Sequence, residues 1–180
     1  MGKKYTALAL VAAFTARGVH AEFRATGQTG ILIAGGGVPI DAVVADFMAG
    51  AAEMLSPAAE PDHWDVVEGQ GSLYHPSYAG VSLGLLHGTQ PDVFVVCHEP
   101  GRQHMAGLPG LPLPDVHEII DLTLTLGRRT NPAIRCAGVS LNTSAYSDAE
   151  AQAIIDSESA RLGLPVGDPV RPVLDRKSVV

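Results

Sequence analysis

Short apolar runs alternate with helical patterns along most of this chain, and this alternation limits the folds that the chain can adopt. The strand-like runs span residues 21–26, 64–68, 92–97, 134–141 and, more briefly, 164–166. Helical patterns span residues 6–17, 41–55, 81–86 and 115–126, and a capping box at Ser147 and Glu150 opens another that reaches about Leu162. Strands and helices that alternate in this way predict an α/β fold of three layers, in which helices cover both faces of a mostly parallel sheet.

Segments rich in turn-forming residues separate these elements. Residues 27–40 contain Gly35-Gly36-Gly37, residues 56–62 are rich in Pro and Ala, and residues 101–114 are rich in Gly and Pro. We predict loops there, and a loose chain from Asp168 onward. The sequence shows no internal repeat and no domain boundary, so we expect one domain over residues 1–171 and a loose tail over residues 172–180.

Charge, hydropathy and cysteine content limit the partners that the protein can bind and the cellular compartment in which it is expected. The 180 residues include 19 acidic and 12 basic side chains, for a net charge of −7. Nucleic-acid-binding surfaces need clustered positive charge, and no more than two Lys or Arg residues are adjacent, so we expect no nucleic-acid partner. No apolar run approaches the ~20 residues of a membrane-spanning helix, so we expect no membrane partner. Cys97 and Cys136 lie in apolar runs and are expected to be buried thiols in a reducing compartment, which predicts a cytoplasmic protein.

The first residues have two interpretations. Gly2-Lys3-Lys4, the apolar run at residues 7–14 and Val19-His20-Ala21 resemble a secretory signal. Arg17, however, lies between the apolar run and the supposed cleavage site. Residues 6–17 also form a good helical pattern closed by a glycine, and we favour the helix.

Three polar loops each follow a predicted strand. They are Thr26–Gly30, Glu68–Ser72 and Asn142–Ser144, and all consist of small or polar residues. In open α/β sheets ligands bind outside the carboxyl ends of the strands. We therefore expect these three loops to line one pocket.

The start of the first helix is typical of the end of a phosphate-binding loop. In such a loop, backbone amides and the helix dipole hold phosphates, a lysine adds a charge, and a hydroxyl contacts Mg²⁺. Gly2 and Lys3 fit this pattern, whereas Lys4 stands at the usual hydroxyl position and Thr6 comes two residues later; the alternative is a solvated, positively charged terminus. Glu68 ends an apolar strand before a Gly-x-Gly turn, which suits a carboxylate near a metal-bound phosphate. The alternative is a carboxylate satisfied by nearby turn amides.

Several longer motifs resemble one protein family. They are GKKYTAL at residues 2–8, ATGQTG at 25–30, Val38-Pro39, Asp41-Ala42-Val43, Ala45-Asp46-Phe47, VEGQGS at 67–72 and CHEP at 97–100. Together they look like the C-terminal half of a bacterial and archaeal family catalogued as a domain of unknown function. In that family a Rossmann-like half precedes a P-loop half similar to dethiobiotin synthetase. His98-Glu99-Pro100, His104-Met105 and Gly107-Leu108-Pro109 resemble its D-glutamate N-acetyltransferase branch.

The resemblance implies a P-loop NTPase-like fold over residues 1–171 that is incomplete at its N-terminus. The family's first strand, and the Gly-Thr-Asp-Cys segment that begins its P-loop, have no counterpart in this sequence. This difference suggests a truncated or mis-started reading frame. A sheet that lacks a central strand has an exposed edge that tends to pair with another chain, so we expect a homo-oligomer.

The resemblance also implies a site for acetyl-CoA or ATP. Lys3 would bind a phosphate, and Asn142 would contact the nucleotide base. The full set implied for this ligand is Gly2, Lys3, Thr6, Gly69 and Asn142. Thr6 and Glu68 would hold Mg²⁺ if the ion takes part.

For transfer of acetyl to the amine of D-glutamate, His98 with Glu99 is our candidate general base. Arg102 could bind a substrate carboxylate bidentately, and the alternative is a surface arginine. The candidate substrate-binding set is completed by Gln28, Thr29 and His104. A metal site at His98, Glu99 and His104 is not favoured, because the spacing of known metal motifs is absent and loop histidines are often bonded to the backbone or to solvent.

Two other functions stay open. One is ATP- and Mg²⁺-dependent activation of a carboxylate, as in dethiobiotin synthetase, which Lys4 at the hydroxyl position weakens. The other is a non-catalytic, nucleotide-binding subunit or fragment, which the lack of the upstream strand favours.

Overall fold

The computed structural model of the protein describes residues 2–171. The helices are α1 (Lys3–Thr15), α2 (Gln28–Ala34), α3 (Met48–Leu55), α4 (Ala79–Thr89), α5 (Val116–Gly127) and α6 (Asp148–Leu162). The strands are β1 (His20–Arg24), β2 (His63–Val67), β3 (Val93–His98), β4 (His104–Met105), β5 (Leu108–Pro112), β6 (Arg135–Leu141) and β7 (Val166–Gly167). The predicted α/β fold is confirmed.

The parallel strands form two groups. β1 pairs with β2, and β3, β6 and β7 pair in that order, all in parallel. β4 and β5 form a separate antiparallel hairpin. Within residues 2–171, β2 has no strand partner on the edge away from β1, and β3 has none on the edge away from β6. An apolar cavity of about 350 Å³ is lined by residues of these two strands together with α1 and α4, so the expected interruption of the sheet lies between β2 and β3.

Helix α1 runs along this cavity. Near its start, Thr6 Oγ1 lies 3.5 Å from Sγ of Cys97, close to the carboxyl end of β3. Near its end, the ring of Phe14 packs on Trp64 of β2 with centroids 5.4 Å apart. Because Trp64 lies near the amino end of β2, α1 is antiparallel to both strands, and its N-terminus lies at the carboxyl edge of the sheet.

Helices α5 and α6 cover the opposite face of β3, β6 and β7. The apolar core between them contains Val96, Val116, Ile120, Val139, Leu141, Ile155 and Val166. The predicted capping box opens α6, because Oγ of Ser147 accepts from the Glu150 amide and the Glu150 carboxylate accepts from the Ser147 amide. Asp115 and Glu118 open α5 in the same way. With α1 on the other face, the molecule has the three predicted layers.

Residues 41–55 do not form the single helix that their apolar spacing predicts. Two short 3₁₀ turns, Ile40–Ala42 and Ala45–Phe47, come before α3. Between them Val43 and Val44 have extended backbone, with ψ of 137° and 136°. Adjacent β-branched residues favour such a backbone. The fully buried Ile40 fixes the first turn, since its amide donates to the carbonyl of Thr26 at 3.1 Å.

Three segments that were predicted to be loops or loose chain have a defined structure. Residues 28–34 form α2 within the predicted loop over residues 27–40, and residues 101–114 contain the β4–β5 hairpin although Gly and Pro are frequent there. Residues 168–171 are not loose, because Arg171 donates to the carbonyl oxygens of Thr143 and Tyr146. The predicted tail over residues 172–180 lies outside the described residues. No helix in the described part of the chain has both the length and the apolar character needed to cross a membrane.

We expect Gly88→Ala to lower the free energy of unfolding by about 1–3 kcal/mol. A Cβ at Gly88 would overlap the carbonyl oxygen of Ala49 and the side chain of Ala52, where α4 packs against α3. Gly80→Ala is the control in the same helix, because a Cβ there has no atom within 4 Å; it should leave stability unchanged or raise it by up to about 1 kcal/mol. Urea unfolding measures both variants, and equal losses would contradict this packing.

Candidate functional site

The N-terminus of α1 lies at the carboxyl edge of the sheet and carries positive charge. The helix begins at Lys3 after Gly2, whose φ of 112° lies in the left-handed region. Among residues 2–171 no side chain caps the first turn, and none of the residues of this turn is acidic. The backbone N–H groups of this turn and the ammonium groups of Lys3 and Lys4 therefore present positive charge, which favours phosphate or carboxylate.

Lys3 lies against the loop that follows β2. A Cβ on Gly69 would lie only 3.3 Å from Cδ of Lys3, so glycine leaves room here for the lysine stem. Lys3 and Gly69 both line the cavity between β2 and β3. The structure thus brings the predicted phosphate lysine next to the loop that begins with the predicted acidic residue, Glu68. Their roles toward a ligand stay predictions.

Glu68 is 8% exposed and is bound by backbone amides. Its Oε2 accepts from the amides of Thr26 at 3.2 Å and Gly27 at 3.3 Å, immediately before α2. The Thr26 hydroxyl donates to the carbonyl of Glu68 at 2.7 Å. A Cβ on Gly30 would overlap Oε2, so glycine in the first turn of α2 admits the carboxylate. No hydrogen bond from a described residue reaches Oε1, and this oxygen is the one left for a ligand.

Thr6 lies beneath the first turn of α1 rather than at the cavity mouth. It is 6% exposed, and its hydroxyl lies 3.1 Å from the carbonyl oxygen of Gly2 and 2.8 Å from Oγ of Ser140. Burial raises the pKa of the neighbouring Cys97 thiol, which keeps it protonated. A Mg²⁺ ion at Thr6 would have to replace these hydrogen bonds, so the sequence-based assignment of Thr6 as a metal ligand stays a prediction without geometric support.

The third predicted loop follows β6. The Asn142 amide donates to the carbonyl of His98 at 2.9 Å, and Asn142 Oδ1 accepts from the Ser144 amide at 3.2 Å. Gln70 joins the first two loops, because its Nε2 donates to Oγ1 of Thr26 at 2.6 Å. No described hydrogen bond links Asn142 to either of those loops, so the structure joins two of the three predicted loops directly.

Asp168 and Arg171 hold the loop after β6, and sequence reasoning missed both. Asp168 Oδ2 accepts from the amide of Thr143 at 2.9 Å and from its hydroxyl. Burial acts to raise the pKa of Asp168, but the hydrogen bonds from Thr143 and Val170 and the charge of Arg171 outweigh it and lower the pKa. Asp168 is therefore ionised at neutral pH. A Gly-Asp-Pro sequence after a short strand gives no local signal of this role.

His98 faces away from Lys3. Cys97 faces α1, and His98, the next residue of β3, lines a second cavity of about 360 Å³ on the side of α5 and α6. Burial holds the pKa of His98 below its ordinary value of 6.5, although the charge of Glu158 opposes this shift. The ring is therefore neutral at pH 7 and able to accept a proton.

The remaining predicted substrate residues occupy separate positions. Glu99 Oε2 lies 3.2 Å from Nη1 of Arg102, so the predicted partner of His98 instead forms an ion pair with the arginine. Arg102 lines the second cavity with His98. Gln28 and Thr29 are exposed in the first turn of α2, and His104 is exposed on β4. The structure thus brings His98 and Arg102 together but not these three side chains.

A group of potential metal ligands lies on β1 and β2. Ligand atoms of Glu22, His63 and Asp65 lie within 4.8 Å of one another. Arg24 already pairs with both carboxylates, at 2.6 Å from Oδ1 of Asp65 and 2.9 Å from Oε2 of Glu22. The positive charge at this cluster is therefore a guanidinium, and we assign no metal to it.

Comparison with known proteins identifies relatives of this chain. Residues 1–176 match a family described as "Domain of unknown function (DUF1611_C) P-loop domain". A protein of Tritonibacter scottomollicae named D-glutamate N-acetyltransferase is 53% identical over 171 residues, which are 95% of this chain and 51% of that protein. A protein of Pseudoalteromonas sp. with the same name is 50% identical over 175 residues, or 97% of this chain and 53% of that protein.

A solved structure shares the fold. It is a crystal structure of a DUF1611 family protein from Anabaena variabilis, with a TM-score of 0.90 and 37% sequence identity. The match covers 95% of this chain and 50% of that one. The chain therefore spans about half the length of the relatives that it matches.

We expect Glu68→Ala to lower the free energy of unfolding by about 2 kcal/mol, because the buried amides of Thr26 and Gly27 lose a charged acceptor. Glu68→Gln should cost about 1 kcal/mol, since an amide oxygen still accepts from these groups. The exposed Glu53→Ala in α3 is the control. Chemical unfolding measures all three, and a loss in Glu68→Ala no larger than in the control would show that the carboxylate does not support this edge.

Proposed function

The chain belongs to the DUF1611 family, and on this basis we propose that it forms the nucleotide-binding part of an enzyme that transfers acetyl from acetyl-CoA to the amine of D-glutamate. One observation carries the proposal: the uncapped start of α1 places Lys3 beside the Glu68–Gly69 loop. The names of the two relatives that share this half of their length support the reaction class and the amino acid.

Under this proposal the start of α1 binds phosphates of CoA. The free N–H groups of the first turn and the Lys3 ammonium are all hydrogen-bond donors, and the first turn carries no acidic residue to repel an anion. The adenine end would lie toward Asn142. Oδ1 of Asn142 already accepts a hydrogen bond from the Ser144 amide. The Nδ2 group of Asn142 is therefore the part that would donate to the adenine base.

ATP is the alternative ligand, and Glu68 favours it. A carboxylate oxygen beside a phosphate-binding lysine suits Mg²⁺, which prefers oxygen ligands. Glu68 would hold the ion, and the ion would neutralise part of the phosphate charge. Thr6 does not fit as a second ligand, because its hydroxyl is bonded to Gly2 and Ser140. The donor set fits Mg²⁺ only in part, and we assign no reaction step to it.

His98 is the proposed general base. Its neutral ring takes a proton from the substrate ammonium, and the free amine then attacks the thioester carbonyl. The C–N bond forms, the C–S bond breaks, and CoA leaves as a thiolate that takes up the second proton lost by the acylated nitrogen. Because His98 and Lys3 lie on opposite sides of β3, the pantetheine arm would carry the thioester past the carboxyl end of this strand.

We propose that the protein is located in the cytoplasm and forms a homo-oligomer. Cys97 and Cys136 are free, and burial raises the pKa of both thiols, which suits a reducing compartment. Within residues 2–171, the edges of β2 and β3 that face the gap in the sheet are unpaired, and an unpaired edge supports association with another chain.

We expect Lys3→Gln to weaken the binding of CoA by about 10–100-fold, the equivalent of one charge-assisted hydrogen bond. Lys4→Gln is the matched control and should change affinity much less, because the stem of Lys3, not of Lys4, lies against Gly69. Isothermal titration of CoA and, separately, of ATP with Mg²⁺ measures both. Equal affinities of wild type and Lys3→Gln for both ligands would contradict the proposed phosphate site.

We expect release of CoA thiol from acetyl-CoA and D-glutamate without ATP. His98→Gln should reduce the rate by about 100-fold or more, and His117→Gln, an exposed histidine of α5, should not. Because burial lowers the pKa of His98, the acidic limb of the pH–rate profile should lie below pH 6.5, where the base becomes protonated. Activity that appears only with ATP hydrolysis would contradict acetyl transfer, and an unchanged acidic limb in His98→Gln would contradict the base.

A further inference from the structure

The second cavity, of about 360 Å³, lies at the carboxyl ends of β3 and β6, beside α5 and α6. We propose that it is the subsite for an amino-acid substrate, in which Arg161 and Arg102 bind carboxylate. The choice of D-glutamate as the amino acid rests on the function proposed above. The binding of a zwitterionic amino acid in this cavity is argued from the cavity itself.

The walls of this cavity are held in place by the protein. His98 and Leu141 end the two strands, Asp115 begins α5, and Glu158 and Arg161 lie in the last turns of α6. Tyr146 supports the loop after β3, because its hydroxyl donates to the carbonyl of Pro100 at 3.1 Å. The next residue, Gly101, has a φ of 79°, and a Cβ there would lie 2.5 Å from the same hydroxyl. The cavity is therefore preformed rather than bordered by a free loop.

Arg161 is oriented by two carboxylates and keeps donors for a ligand. Its Nε and Nη2 donate to Glu158 at 3.2 and 2.7 Å, and its Nη1 donates to Asp115 at 3.2 Å. These bonds occupy three of the five N–H groups of a guanidinium. Within the described residues, one N–H on each terminal nitrogen stays available, and such groups suit a carboxylate.

Arg102 supplies a second guanidinium whose hydrogen bonds are incomplete. Nη1 lies 3.2 Å from Oε2 of Glu99, yet this buried oxygen accepts no aligned hydrogen bond from the described residues. The side chain of Arg102 is only 25% exposed. A guanidinium that is mostly removed from water gains from a carboxylate that completes its hydrogen bonds.

Side chains of both charge signs surround this cavity, and they favour the binding of an amino acid over that of a nucleotide. Two guanidiniums, of Arg102 and Arg161, pair with the three carboxylates of Glu99, Glu158 and Asp115, so a phosphate-rich ligand without a cationic group would meet uncompensated negative charge. An amino acid carries a carboxylate for the arginines and an ammonium for the acidic side chains. The half-buried ring of His98 lines the same cavity, so an amine bound there would lie beside this ring.

Isothermal titration with D-glutamate, and separately with CoA, tests this subsite. Arg161→Met and Arg102→Met should each weaken D-glutamate binding at least 10-fold and leave CoA affinity unchanged. Arg161→Lys keeps the charge but loses the planar pair of N–H donors, so it should also weaken D-glutamate binding. This variant replaces Arg161→Met in the test if Arg161→Met fails to fold. The exposed Arg129→Met is the control. Glutarate, which has two carboxylates and no amine, should bind at least 10-fold more weakly than D-glutamate.

Wild-type affinity for D-glutamate in both Arg102→Met and Arg161→Lys would overturn the subsite, as would a wild-type protein that binds CoA but no D-glutamate. Equal affinity for glutarate would overturn the recognition of the amine. If the wild type binds D-glutamate through these arginines but binds neither CoA nor ATP, the subsite stands and the proposed acetyltransferase function fails.

Discussion

The buried carboxylate of Glu68 organises the carboxyl edge of this sheet. By accepting from the amides of Thr26 and Gly27, it joins the end of β2 to the start of α2. Gly69 follows at once and leaves room for the stem of Lys3. The negative charge of Glu68 is stabilised by the amides of the loop that follows β1, so the basic start of α1 can act on a ligand. The phosphate site that we propose depends on this arrangement.

Adjacent residues of strand β3 face two different parts of the proposed site. Cys97 contacts α1 on the side of the proposed phosphate site, whereas His98 lines the polar cavity beside α5 and α6. Successive residues of a strand point to opposite faces, so two adjacent residues serve different cavities. An acyl donor on one side and an amine on the other would meet at the carboxyl end of this strand. A long, flexible donor such as acetyl-CoA suits this geometry.

The parts of the fold predicted correctly are those with local signals. Apolar runs predicted the five parallel strands, and Ser147 with Glu150 predicted the start of α6. Helix α2 was missed because the group that binds its leading amides, Glu68, lies about forty residues away in the chain. The phosphate-loop pattern and the family resemblance predicted that Lys3 and Glu68 share a site, and the structure places Lys3 against the loop that Glu68 begins. Neither the pattern nor the resemblance could predict Arg161 or Arg171, because their roles arise from contacts between distant elements.

The binding of a diphosphate at the start of α1 is the central claim, and amide chemical shifts test it most directly. In two-dimensional ¹H–¹⁵N NMR spectra of the labelled protein, CoA should shift the amide signals of residues 3–6 and 69–71 most strongly. The β4–β5 hairpin, which lies outside the proposed site, should change little. Strong shifts elsewhere, with residues 3–6 and 69–71 unaffected at saturating CoA, would contradict the account.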